Sequence, residues 1–228
     1  MHILGDHAVT VSFGDDIDED INRKVTTLFH CLKQQKFAGI TDLIPAYATL
    51  TIVYDIVTIA KEQQDIEGYF NAIVNKALTG QEVPDTLSSH HEIPVCYDVV
   101  FAPDLLLVAR KNRLSIADVI HIHAGKTYRV YMIGFLPGFA YMGSVDSMIA
   151  TPRLEKPRQH VAAGSVGIAG SQTGIYPVAS PGGWNIIGRT PVKMFNVNNS
   201  APCYLNAGDT VQFVSISKTD FEELINKR

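Results

Sequence analysis

The residues best equipped for chemistry crowd into one stretch, residues 131–195. Three arginines stand there, Arg153, Arg158 and Arg189. Their planar guanidinium groups can grip a carboxylate or phosphoryl-like anion through paired hydrogen bonds. Gln172, Thr173 and Tyr176 add neutral donors and acceptors that suit a lactam or amide. Tyr141 and Trp184, with Phe135 and Phe139, offer aromatic walls. His160 brings an imidazole that exchanges a proton near neutral pH. Gln172, Arg189 and His160 are the candidates for a chemical step. Tyr141, Arg153, Arg158, Gln172, Thr173, Tyr176, Trp184 and Arg189 are the candidate binding set. Plainer uses compete with each: surface ion pairs for the arginines, loop capping for Gln172 and Thr173, core packing for the aromatics, simple exposure for His160.

Three other patterns look chemical and do not hold up. Gly125-Lys126-Thr127 resembles the tail of a phosphate-binding loop, but Ile120 stands where that loop needs glycine, and a strand-like segment follows instead of a helix. Ala163-Gly164-Ser165-Val166-Gly167 resembles a nucleophile elbow with its first glycine replaced and no helix after it. His121 and His123 diverge by about 200° if the segment is helical, which is wrong for one metal ion. No metal site and no prosthetic group are expected.

The elements that must position the stretch follow from periodicity. Ala8–Phe13 alternates as a strand, and Thr49–Tyr54 is rich in β-branched residues. Asp16 with Glu19 resembles a capping box, and Ile17, Ile21, Val25, Leu28, Phe29 and Leu32 keep helical spacing after it. Ile66, Phe70, Ile73, Val74, Ala77 and Leu78 mark a second amphipathic helix. The polar stretch from Gly80 to His90, with Pro84, reads as a linker. Beyond it come a strand over His91–Tyr97, helices over Pro103–Lys111 and after Ser115, and a strand over Thr127–Ile133. Then the texture changes. Twelve of the 17 glycines lie between Gly125 and Gly208, and seven of the 11 prolines follow residue 130. Short apolar runs, Val166–Ala169, Val192–Val197 and Thr210–Ile216, sit among them, which is the pattern of a barrel or sandwich with long functional loops. Lys218–Arg228 reads as a closing helix. The domains expected are 1–84, a small α+β N-terminal domain, and 85–228, mainly β and carrying the 131–195 block.

Composition excludes several classes. A formal net charge of -4, with no dense run of Lys or Arg, argues against nucleic acid and against a polybasic membrane contact. No apolar stretch approaches the roughly 20 residues of a membrane helix. The N-terminus lacks a basic segment followed by an apolar one, and the three cysteines are odd in number and far apart, so a cytoplasmic location is expected.

The motifs Gly134-Phe-Leu-Pro-Gly-Phe, Thr151-Pro-Arg, Ala163-Gly-Ser-Val-Gly-Ile-Ala-Gly, Gln172-Thr-Gly-Ile-Tyr-Pro and Pro181-Gly-Gly-Trp-Asn-Ile-Ile-Gly-Arg-Thr-Pro resemble the carboxyltransferase C/D-subdomain family. Its members are described as B-type subunits of 5-oxoprolinase, as allophanate hydrolase subunit 1 and as KipI-type sensor-kinase inhibitors. His91-Glu-Ile-Pro-Val-Cys-Tyr resembles the family's second-domain entry, and Gly5-Asp6 with Thr49–Asp55 resembles its N-terminal domain. The sequence departs from the pattern at Asp98-Val-Val-Phe, where a glycine-containing turn is expected, and at Ala140 and Ala162, where proline is frequent. His160 falls at a variable position.

The resemblance implies an α+β N-terminal domain followed by a mainly-β cyclophilin-like barrel. It implies one part of a three-part enzyme that opens the 5-oxoproline lactam to L-glutamate with ATP as co-substrate of the complex. The partners would be a C-type (KipA-like) subunit and an A-type lactam-hydrolysing subunit, and the chain alone would be inactive. It equally implies two alternatives, an inhibitor binding a histidine kinase, or an allophanate hydrolase subunit 1.

Overall fold

Alternation along Thr49–Tyr54 buries Leu50, Ile52 and Tyr54 on one face, and the first of two compact units is built around that strand. The computed structural model describes residues 1–63, 65–79 and 88–227. The units are Met1–Leu87 and Ser88–Arg228. The expected linker, and the boundary between 84 and 85, fall largely outside the described residues.

In the first unit, β1 (His2–Leu4), β2 (Ala8–Ser12), β3 (Ile40–Pro45) and β4 (Thr49–Tyr54) form an antiparallel sheet in the order β1-β2-β4-β3. Helices α1 (Glu19–Gln35), α2 (Ile56–Glu62) and α3 (Ile66–Thr79) complete it. α1 contributes Val25, Leu28 and Leu32 to the core, and α3 contributes Phe70, Ile73, Val74 and Ala77. The cap of α1 is Asp18, whose carboxylate accepts from the Ile21 N–H at 3.0 Å. The expected box of Asp16 and Glu19 is therefore displaced, because Glu19 is already the first helical residue. β3 and α2 were not apparent from periodicity.

The second unit is a closed barrel. Its strands are β5 (His90–Cys96), β6 (Thr127–Ile133), β7 (Ala140–Gly143), β9 (Ser165–Ala169), β10 (Gln172–Ile175), β12 (Asn185–Arg189) and β13 (Thr210–Ile216). They run in the order β10-β7-β6-β13-β5-β12-β9, with β9 pairing back onto β10. All pairings are antiparallel except β13 with β5. A two-stranded sheet of β8 (Arg158–Val161) and β11 (Ser180–Gly182) stands apart. Helices α4 (Leu105–Lys111) and α5 (Ile116–Ala124) add Leu105, Val108, Ala109 and Val119 to the barrel core, and α6 (Lys218–Asn226) closes the unit. The box of Ser115 with Asp118 is present as expected. Val192–Val197 is not a strand: only a single bridge, Phe195 to Cys203, forms there. Among the described residues no helix is long and apolar enough to cross a membrane.

Two polar contacts pin the barrel from within. His123, on α5, is fully buried. Its Nδ1 lies 2.8 Å from Tyr97 Oη and its Nε2 lies 3.0 Å from Thr173 Oγ1. Thr173 Oγ1 also donates to the Gly167 carbonyl at 3.0 Å, so Nε2 carries the imidazole proton and Nδ1 accepts from the tyrosine. Phe213 stacks on the ring at 4.6 Å. The second contact is Asp104, just before α4. Its N–H donates to the Ile186 carbonyl at 3.0 Å, its Oδ2 accepts from the Ile186 N–H at 2.7 Å, and its Oδ1 takes Arg158 Nη2 at 2.5 Å. One nearly buried carboxylate thus ties α4 to β12 and β8.

These contacts set two expectations. Burial holds the pKa of His123 down at about 3, against 6.5 when free. The unfolded chain therefore binds the extra proton between those values, and the stability His123 contributes is present above pH 6.5 and falls as the pH drops toward 3. Between pH 7 and pH 5 the loss amounts to about 2 kcal/mol. Urea unfolding followed by the fluorescence of Trp184, the single tryptophan, should show that loss shrinking in His123→Phe. The same titration should show Asp104→Ala destabilised by roughly 3–5 kcal/mol, since it strands a guanidinium and a buried N–H together.

Candidate functional site

Strands of a filled barrel carry two faces, and the chemistry sits on the outer one. Along β7, Ala140 and Met142 point into the core while Tyr141 points out. On β10, Thr173 and Ile175 point in while Gly174, paired with Tyr141, lies on the outer face. Gly167 and Gly174 stand directly opposite each other on β9 and β10. A Cβ on Gly174 would come within 3.1 Å of both Phe139 and Trp184, and one on Gly167 would come within 3.1 Å of Trp184. The paired glycines leave a bare floor on which these rings lie.

An aromatic cluster covers that floor. Phe139 is its centre, with ring centroids at 4.7 Å to Tyr141, 5.2 Å to Tyr176 and 5.4 Å to Trp184. Tyr141 also meets Trp184 edge-on at 5.8 Å. Val161, Ala169 and Ile186 fill the gaps. The Arg153 guanidinium lies 5.9 Å from the Trp184 ring, over its face. Phe135 lies edge-on to Phe139 at 5.7 Å and is 64% exposed. Its backbone is left-handed (φ 66), held by a tight turn in which the Leu136 N–H donates to the Gly134 carbonyl at 2.8 Å. Such a conformation is strained for an aromatic residue and is found most often at binding sites.

Burial pushes the hydroxyls of Tyr141 and Tyr176 above the ordinary tyrosine range, while Arg153 pulls both the other way. The backbone N–H of Trp184 and the Arg158 charge also act on Tyr176 to lower it. Both phenols therefore stay protonated at neutral pH and serve as O–H donors, never as bases. Arg158 is held through Nη2 by Asp104, and its Nη1 is buried with no hydrogen-bond partner among the described residues. The cluster thus combines rings that are almost wholly buried, Phe139 and Tyr176 at 1% and Trp184 at 5%, with two phenol hydroxyls and two guanidinium groups beside them. Residue types of this kind suit an anion that carries an apolar ring.

The structure gathers Tyr141, Arg153, Arg158, Tyr176 and Trp184 in this cluster. The other sequence candidates lie elsewhere. Thr173 faces into the barrel, where its hydroxyl is committed to His123 and Gly167. Gln172 is half-buried on the outer face of β10, two residues from Gly174. Arg189 donates through Nε to the Ala163 carbonyl at 2.8 Å and lies 5.9 Å from the Phe101 ring. His160 is exposed on β8. Sequence reasoning missed Asp104, which fixes Arg158. Its signal was a Pro-Asp pair at a helix start, where the carboxylate reads as a cap, yet it makes no cap hydrogen bond and reaches across to β12 and β8 instead. It also missed His123, whose partners are 26 and 50 residues away. Among the described residues no group of His, Cys, Asp or Glu is arranged to hold a metal ion.

Comparison with known proteins places this geometry in context. The sequence profile of the carboxyltransferase domain, subdomain C and D, matches residues 1–205. The B subunit of 5-oxoprolinase from Bacillus subtilis (strain 168) is 42% identical over 225 residues, covering 96% of this chain and 93% of that protein. A conserved uncharacterized protein of Pyrococcus horikoshii, PH0987, is 45% identical, covers 96% of this chain and 98% of its own, and superposes with a TM-score of 0.58. The crystal structure of TTHA0988 superposes with a TM-score of 0.81 at 34% identity over 92% of this chain. This chain spans only 40% of the length of TTHA0988. With a matched profile over nine-tenths of its length and a relative of similar size at 42% identity, the chain belongs to the family of carboxyltransferase domains, subdomains C and D.

Proposed function

We propose that the chain is the B subunit of an ATP-dependent 5-oxoprolinase, acting with A- and C-type subunits to open the 5-oxoproline lactam to L-glutamate. The observation that carries this reading is the aromatic and arginine cluster on the outer face of β7 and β10, in a chain whose relative of matching length is named as the B subunit of 5-oxoprolinase. The substrate is a small ring with one carboxylate and one amide, and the cluster offers a counterpart to each part. Trp184 and Phe139 form a wall for the ring. Arg153, exposed beside Trp184, binds the carboxylate, and Arg158, anchored on Asp104, adds its positive charge. The hydroxyls of Tyr141 and Tyr176 donate to the lactam oxygen, and Gln172 lies at the border of the same face. Arg189 stands outside this pocket and steadies phosphoryl charge or a partner surface.

The ring amide resists water because its nitrogen lone pair is shared with the carbonyl. ATP, as co-substrate of the complex, phosphorylates the lactam oxygen and leaves as ADP; water then adds at that carbon, the C–N bond breaks as its nitrogen takes a proton, and a second water hydrolyses the resulting acyl phosphate to the carboxylate and phosphate. The residues of this chain bind and orient the ring and stabilise charge on its oxygen. No base tuned near neutral pH stands in the cluster, since both phenols are shifted upward and His123 is buried and committed. Such a site needs a base from another subunit, which supports a chain that is inactive alone. The three unpaired cysteines support a cytoplasmic home.

A second reading draws on Val99 and Val100, 68% and 66% exposed, and on Leu224 and Ile225 of α6, 39% and 44% exposed. Phe101 and Phe221, beside them, meet at 4.4 Å. This apolar surface would suit a KipI-type inhibitor docking on a histidine kinase, and it would also suit a partner subunit.

The test is ATP-dependent release of glutamate from 5-oxoproline by this chain mixed with its A- and C-type partners, omitting each in turn. Activity requiring all three is expected. A folded, assembled but inactive complex would sink the proposal and direct attention to kinase autophosphorylation or allophanate hydrolysis. In the active complex Arg153→Met should raise KM for 5-oxoproline about tenfold or more, and Tyr141→Phe about fivefold, with thermal stability unchanged.

A further inference from the structure

The first unit carries a free sheet edge beside a charged groove. β3 is the last strand in the order β1-β2-β4-β3, so among the described residues one row of its backbone groups has no strand partner. The final turns of α1 run alongside, and between them lies a cavity of about 350 Å³. Phe29, Leu32, Phe37 and Leu43 line its apolar side, and Lys33 and Lys36 its polar side. Lys33 Nζ lies 5.2 Å from the Phe29 ring, so its stem rests on the groove wall. Lys36 ends α1 in a left-handed conformation (φ 46). Among the described residues neither lysine forms an ion pair. Asp42 folds back to accept from the Leu43 N–H at 2.8 Å, so a side chain holds one of the strand's donors.

We propose that this groove takes an extended acidic peptide, added along β3 as a fifth strand. Three features converge on that occupant. A strand edge supplies main-chain hydrogen bonds to an extended chain, an apolar trough beside it takes alternate side chains, and two lysines against the single carboxylate of Asp42 leave the groove net positive. β3 is six residues long; its Leu43 N–H is held by Asp42 and Pro45 has none, so a peptide of about five or six residues would pair mainly by donating its own N–H groups to the strand's carbonyls. Its counterpart at the far edge, β1, has three residues, all exposed, and offers no such length. A small carboxylate would satisfy the lysines and the cavity but would leave the strand edge unused.

The probe is an acetylated and amidated hexapeptide of alternating valine and glutamate, added to the full ¹⁵N-labelled chain. Saturable shifts confined to the backbone of residues 33–45 are expected. The double variant Lys33→Glu with Lys36→Glu should weaken binding about tenfold while its circular dichroism stays unchanged, since both side chains are exposed. The same peptide N-methylated at alternate residues should not bind. No saturable shift at millimolar peptide would overturn the proposal. So would equal binding of the N-methylated peptide, or of hexanoate alone, either of which would mean a cavity for small amphiphiles with no strand addition.

Discussion

Everything on the outer face of the barrel depends on the absence of two methyl groups. Gly167 and Gly174 face each other across β9 and β10; a Cβ at Gly174 would crowd the Ala140 carbonyl at 2.9 Å and the rings of Phe139 and Trp184 at 3.1 Å, and one at Gly167 would crowd Trp184 Cβ at 3.1 Å. Glycine costs a strand some stability, because it has no side chain to pack and more conformational freedom to lose. Here the rings of Phe139, Tyr141, Tyr176 and Trp184 restore what the glycines lack by lying across the bare backbone. The wall of the candidate pocket and the packing of the sheet are thus the same atoms.

The same strands divide their polar groups between the interior and the aromatic cluster. On β10, Thr173 turns inward and joins His123 and Tyr97 in a closed set of neutral hydrogen bonds, while its neighbour Gly174 turns outward to the aromatic cluster. The imidazole that could have served as a base is thereby spent on holding the interior. Asp104 does the corresponding service for Arg158: it fixes one end of the guanidinium, whose charge acts on Tyr176.

Much of the fold was legible in the sequence. β6 and β13 fall on the expected residues, and the second amphipathic helix and the capping box at Ser115 appear where spacing put them. These are signals carried within a single segment. The strands that were missed are of another kind. β10 and β12 read as glycine-rich loops, because their glycines serve ring packing and close approach, which no alternation pattern encodes. Val192–Val197 has the composition of a strand but lies beside Gly138, whose left-handed turn packs on Met194 and Phe195 instead of offering a ladder. Of the site, residue types were readable and partners were not. Arg153, Tyr176 and Trp184 converge from separate loops, and Arg189, one motif residue among others by sequence, ends beside Phe101.

The parallel seam between β5 and β13 has a temporal consequence. His90 and Thr210 lie side by side in that seam although 120 residues separate them along the chain. β5 is the first strand of the barrel to leave a ribosome and has β12 and β13 as its neighbours, so it must wait for almost the whole unit to be made before either edge is covered. During that interval an apolar strand, with Ile93 and Val95 destined for the core, stands open to passing chains. Closure of the barrel is then a late event, because β13 bridges β5 and β6.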